Sequence, residues 1–203
     1  MSDIYQDSHA STLRKRYTIS VLSEDRPGLL NRVTIIFSRI KLNIESINVS
    51  TSEVPGVSRY TLVVNTTKDI AGKVTKQLRK LVEVLGAFLY EEDEIYYQEI
   101  ALYKVPTKIF LHGNKIENLV RANNARILVI EEDYIVIEKT GHKHETQQLF
   151  NLLNEYGVLE FVRSGRVAIS KSKRQTQKYL DELENSETHI LNSSNGQDKY
   201  GKN

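Results

Sequence analysis

Residues 24–30, Glu24-Asp25-Arg26-Pro27-Gly28-Leu29-Leu30 (EDRPGLL), stand where the period of the chain changes. Ahead of them, in YTISVL, Tyr17, Ile19 and Val21 alternate with Thr18, Ser20 and Leu22, the two-residue period of a strand with one buried face. Behind them Leu29, Leu30, Val33, Ile36, Phe37 and Ile40 recur at helical spacing. A strand therefore becomes a helix across a turn that carries an acid, a proline and a glycine.

Further along, NIESINVST returns to alternation through Ile47 and Val49, Val54-Pro55-Gly56 punctuates it, and SRYTLVVNT follows with Tyr60, Leu62 and Val64 on one face. That pair predicts a hairpin. From Asp69, the expected N-cap, Ile70, Val74, Leu78, Leu81, Val82 and Leu85 predict an amphipathic helix, and GAFLYEE a closing strand. The order βαββαβ predicts a four-stranded antiparallel sheet with both helices on one face. Its other face stays uncovered within one copy, so pairing with a second subunit is expected.

The second half repeats this order without evident sequence identity. EIALYKV reads as a strand, NKIENLVRAN as a helix through Ile116, Leu119 and Val120, and ARILVIEE with YIVIEKT as a hairpin around Glu132-Asp133. Leu149, Leu152, Leu153 and Tyr156 share a helix face, and VLEFVRSGRVAIS closes the pattern as a strand. The fold class is α+β: two tandem ferredoxin-like domains, residues 17–93 and 94–170. Residues 1–16 form an N-terminal extension. Residues 171–203, rich in Ser, Asn, Gln and Lys, are too polar to hold a core and are expected to be largely disordered, apart from a short helix that TQKYLDELE allows. Their removal should leave folding intact.

The 203-residue chain is 39% hydrophobic and 27% charged, with 28 Lys+Arg against 26 Asp+Glu. A net charge of +2 argues against a nucleic-acid partner. The chain has no Cys, which excludes disulfides, thiolate metal sites and a Cys nucleophile. No apolar run approaches the roughly 20 residues that span a bilayer, and the first fifteen residues hold no apolar signal core. A soluble, cytoplasmic protein with no membrane partner is expected.

Catalytic and metal motifs are missing: GxGxxG, a Walker-type loop, GxSxG and HExxH do not occur. His142-Lys143-His144 offers two imidazoles, but at the start of a helix without a matching carboxylate they read as surface. Glu91-Glu92-Asp93-Glu94 reads as a solvated strand end before it reads as an acid/base pair. No catalytic and no metal-binding residue is assigned. An RNA-binding sheet of the same topology needs exposed aromatics and a basic face. Arg14-Lys15-Arg16 lies ahead of the first strand instead.

As pure structure, the opening turn needs no ligand: Asp25 caps the helix, Pro27 fixes φ and Gly28 relieves strain. The same features also build a small anion site, because amides at a helix start lack acceptors and Gly28 has no Cβ to block approach. An amino acid's carboxylate fits there, and Asp25 supplies a charge for its ammonium group. Asn43 and Ile44 lie at the far end of the helix, so they reach this turn only from a second copy.

Together, DRPGLLNRV, NIES, SRYTLVV, EIALYKV and VRSGR resemble the small, regulatory subunits of acetohydroxyacid (acetolactate) synthase, an ACT-domain family, over about residues 17–170. The resemblance implies an N-terminal ACT domain that pairs to bind valine or a related branched-chain amino acid, and a C-terminal ferredoxin-like domain. It implies no chemistry and no cofactor in this chain. The partner would be a catalytic large subunit carrying thiamine diphosphate, flavin (FAD) and magnesium, activated and made sensitive to feedback inhibition on the path to valine, leucine and isoleucine. By position, Asp25, Gly28, Leu29 and Leu30 match the family's effector turn, and Asn43 and Ile44 match the residues given by the opposite subunit. Asp25 stands where relatives often have Asn, Lys41-Leu42 replaces a common Gly, and the polar tail has no counterpart in the short members. A stand-alone ACT sensor controlling another enzyme or transcription is the alternative, and it leaves the second unit without a role.

Overall fold

The computed structural model describes residues 13–108, 115–173, 175–183 and 185. The first unit runs β1 (Lys15–Glu24), α1 (Leu29–Arg39), β2 (Ile44–Thr51), β3 (Val57–Thr66), α2 (Lys68–Leu78) and β4 (Val84–Tyr90). Its strands pair antiparallel in the order β2-β3-β1-β4. The alternation in β1 sends Tyr17, Ile19 and Val21 to one face, where they meet Leu62 and Val64 of β3, Leu29, Val33 and Phe37 of α1, and Val74 and Leu78 of α2. Both helices thus cover one face of the sheet. Thr67, not the expected Asp69, caps α2: its hydroxyl accepts the Ile70 N–H, while Asp69 sits in the first turn, where its charge suits the helix dipole. Beyond α1, Lys41 takes a left-handed φ of 55°, the position at which a Gly costs least.

After a 3-10 turn at Glu92–Glu94, the second unit runs β5 (Ile95–Pro106), α3 (Lys115–Ala122), β6 (Arg126–Ile130), β7 (Tyr134–Gly141), α4 (Lys143–Asn154), β8 (Glu160–Arg163) and β9 (Val167–Ser170). Its sheet has the order β6-β7-β5-β8, and β9 also pairs with β5. Ala101, Tyr103 and Val105 pack with Ile135, Ile137, Leu149 and Leu153 in its core. The buried Tyr103 hydroxyl donates to the Thr146 carbonyl at 2.6 Å, and burial raises the pKa of this phenol. Two tandem βαββαβ units in an α+β fold result.

The single closing strand expected from VLEFVRSGRVAIS is broken. Arg163 stands opposite Ala101 and Val167 opposite Gln98, so the strand advances four residues where β5 advances three. Ser164-Gly165-Arg166 is therefore a bulge. The Ser164 amide donates to the Ile100 carbonyl at 2.8 Å, and the Ser164 hydroxyl accepts the Ile100 amide at 2.9 Å, which keeps the ladder closed across it.

The outer face of the first sheet is covered within this one chain, against the expectation of an open face. Thr18, Ser20, Thr61 and Val63, which point away from α1 and α2, are all buried. The bulge covers part of this face, with Gly165 so close to the Ile47 carbonyl that a Cβ would lie 2.8 Å from it. A helix over residues 176–183, here α5, covers the rest. This is the short helix that TQKYLDELE allows, and it is docked: Leu180 is buried against Leu22 and Val57, with Tyr179 and Leu183 packed beside them, a packed contact that the polar composition did not predict and that stands against removing the tail without cost to the fold. The Tyr179 ring lies over Gly86, where a Cβ would meet it at 2.9 Å, and crosses Phe88 edge-on at 5.3 Å. Residues 186–203 lie outside the described residues, as do 1–12. Among the described residues no helix is long and apolar enough to cross a membrane.

Candidate functional site

The turn after β1 is held from two sides. The Asp25 amide donates to the Gly56 carbonyl at 2.9 Å, and the Glu24 amide to the Glu83 carbonyl at 2.9 Å. Asp25 does not cap the helix. Gly28 is the N-cap, with φ 84° and ψ −8°, and among the described residues no side chain caps the helix start. The Asp25 carboxylate instead accepts the Ser58 hydroxyl at 3.0 Å, which leaves most of its acceptor capacity open to solvent. Among the described residues nothing would lie within 4 Å of a Cβ at Gly28. An uncapped helix start, open space above it and a carboxylate beside it together can receive a zwitterion.

The six residues matched by resemblance divide into groups. Asp25, Gly28 and Leu30 are exposed at the turn, whereas the Leu29 side chain is in the core, so Leu29 can offer a ligand only its amide. Asn43 is exposed and Ile44 half-buried at the start of β2, an edge of the sheet, beyond the far end of α1. Within one copy they do not join the turn.

Sequence reasoning missed the supports. Ser58 and Gly56 belong to the β2–β3 hairpin, and Glu83 pairs with Arg32 while its carbonyl holds Glu24. Parity holds the signal for Ser58: it shares a face with Tyr60, Leu62 and Val64, and it is buried as they are. Tyr60, also buried nearby, has its pKa raised by desolvation, with the negative charge of Asp25 adding to it.

The remaining candidates are structural. Glu91 accepts Lys68 at 3.0 Å, and its own amide donates to Glu94 at 2.7 Å, so the acidic run is a capped turn. The rings of His142 and His144 stack at 5.8 Å, and among the described residues no group of three or more His, Asp or Glu is placed to hold a metal.

Comparison with known proteins separates the two units. Residues 19–86 match the model of the acetohydroxyacid synthase small subunit-like ACT domain, and residues 98–172 match that of the small subunit of acetolactate synthase. The chain belongs to the family of acetolactate synthase small subunits. Family relatives include the acetolactate synthase small subunit of Mycolicibacterium smegmatis, 38% identical over 78% of this chain and 92% of the relative. The probable small subunit of Archaeoglobus fulgidus is 34% identical over 79% and 99%. The crystal structure of the Thermotoga maritima small subunit superimposes with a TM-score of 0.72 at 30% identity, covering 79% of this chain and 99% of that one. Nearly whole relatives are thus matched by about four fifths of this chain, and α5 lies beyond residue 172, where the family-model match ends.

Proposed function

We propose that this chain is a non-catalytic regulatory subunit that binds the catalytic large subunit of acetolactate synthase in the cytoplasm, raises its activity and makes it sensitive to valine or a related branched-chain amino acid. The observation that carries the effector reading is the uncapped, left-handed Gly28 at the start of α1 with the Asp25 carboxylate beside it. In this proposal the effector carboxylate takes the amides of Gly28, Leu29 and Leu30, its ammonium group faces Asp25, and Asn43 and Ile44 of a second copy close over it. The ligand would then be held in a homodimer through the ACT domain. Thiamine diphosphate, FAD and magnesium would belong to the large subunit, and this chain would carry none of them. A stand-alone sensor is less favoured, because the match to the small-subunit family continues through the second unit to residue 172.

The test is a valine titration of the reconstituted enzyme with Gly28→Asp. A carboxylate about 4 Å from the effector's own is repelled by roughly 1 kcal/mol in water and about 4 kcal/mol at the effective dielectric of a partly buried site. Binding then weakens by about five-fold to nearly a thousand-fold. The left-handed φ adds strain of about 1 kcal/mol to the fold, small enough for activation to survive. Unchanged inhibition would move the effector site elsewhere, and loss of activation together with inhibition would make the turn structural only.

A further inference from the structure

Between the two units lies a polar cleft of about 390 Å³, lined by Arg16 of β1, Glu45 of β2, Glu99 of β5, Lys143 at the start of α4, Arg163 just before the bulge and Arg166 within it. We propose that this cleft binds a small phosphate-bearing metabolite.

Charge is the first argument. Four cations and two carboxylates line the cleft, an excess of two positive charges, and Glu92 outside the lining offsets one of them through Arg166 at 3.1 Å. The ion pairs inside are shared or loose: Glu45 serves both Arg16 at 2.9 Å and Lys143 at 4.0 Å, and Arg163 is 3.5 Å from Glu99. With Glu92 counted, one positive charge remains, and a bound anion would complete this set.

Arg166 gives the second, independent argument. Its relative exposure is 1%, it stacks over the Tyr97 ring at 3.6 Å, and it donates to the Thr18 hydroxyl at 2.9 Å. Its Nε has no partner among the described residues. Folded proteins rarely leave a buried charged donor without an acceptor. The bulge is what aims this side chain across the domain boundary, and bulges gather where a side chain must be redirected.

The ligand class follows from the donors. Guanidinium forks suit phosphate oxygens, and cations approaching from β1, α4, β8 and the bulge surround a tetrahedral group better than a planar one. The volume lies in the range of small-molecule sites and exceeds that of a lone phosphate, which points to a phosphate ester. The site is separate from the effector turn: Arg16 and Asp25 stand at opposite ends of β1, on the order of 30 Å apart at the rise of a strand.

The experiment is calorimetric titration of the full chain with inorganic phosphate, and in parallel with malonate, both at ionic strength held constant with sodium chloride. Phosphate should bind and raise the melting temperature. Lys143→Gln and Arg16→Gln, both on the exposed rim, should each weaken binding about ten-fold, while Lys80→Gln, an equal loss of charge on a distant surface, should leave it unchanged. No saturable phosphate heat would overturn the proposal, as would equal weakening by Lys143→Gln and Lys80→Gln. Malonate binding more tightly than phosphate would overturn the phosphate assignment.

Discussion

The outer faces of the two sheets invert the usual rule. In the first unit the face turned away from the helices carries Thr18, Ser20 and Thr61, polar residues that read as solvent-facing, and it is buried. In the second unit the equivalent face carries Ile100, Leu102 and Val162, apolar residues that read as covered, and they are exposed. Alternation records which side chains share a face but not what lies over that face. The first face is covered by the Arg166 bulge and by α5, both distant in sequence, and its hydroxyl groups are suited to that cover because they accept bonds such as Arg166 to Thr18. The second face has no cover among the described residues, and an exposed apolar patch of this kind suits a partner.

The largest break in this contrast should come from Arg166→Ala. The substitution removes the bond to Thr18, the pair with Glu92 and the stack on Tyr97, and it opens a void between the units. Loss of a buried charge pair costs about 3 kcal/mol at the low end of its range, appropriate here because Glu92 is half exposed. Urea unfolding of the full chain should register that loss and separate into two transitions. One unchanged cooperative transition would mean that the units do not depend on this contact. Next in size is Leu180→Ala in α5, expected to cost about 2 kcal/mol through the cluster with Leu22 and Val57. Denaturation at the wild-type midpoint would show that α5 adds nothing to the first sheet.

Both βαββαβ units were legible in the sequence because each buries one face by a local period, of two in strands and of about 3.6 in helices. The boundaries failed where a side chain decided them. Thr67 outcompeted Asp69 as the cap of α2, and Gly28 displaced Asp25 as the cap of α1 because Asp25 is held by Ser58, thirty-three residues away. Asp25, Gly28 and Leu30 could be found from the turn, but the burial of Leu29 could not be separated from the exposure of Leu30 before the helix axis was known. The bulge at Ser164-Gly165-Arg166 and the docking of α5 are long-range facts, and no local period encodes them.

A smaller effect would sharpen the same contrast. Val162→Thr, on the exposed apolar face, should change the stability of the isolated chain by no more than about 0.5 kcal/mol, because the two side chains are nearly equal in size and about half of this residue stays in water on folding. Activation of the large subunit is the companion measurement. Unchanged stability with weakened activation would identify the face as the partner's, whereas a stability loss of Leu180 size would mean that this chain covers the face itself.

The smallest effect is one of pH, at the rim of α5. The Thr176 hydroxyl accepts from Arg59 at 3.0 Å, and its hydrogen bond to Glu53 is the largest cause holding that carboxyl below its ordinary pKa of 4.5; Arg59 lowers it further. A carboxyl whose folded pKa is depressed stabilises the fold above the unfolded value and loses that contribution as pH falls through the folded value. Docking of α5 should therefore be constant from neutrality down to about pH 5 and weaken below about pH 4.5. Glu53 is mostly exposed, so solvent screening keeps the effect small and confined to the helix. Hydrogen exchange over residues 176–183 measures it: protection should drop between pH 5 and the acid limb in the wild type, and in Glu53→Gln it should be lower at neutral pH and flatter across the range. An equal acid loss in Glu53→Gln would assign the pH response of α5 to another carboxyl.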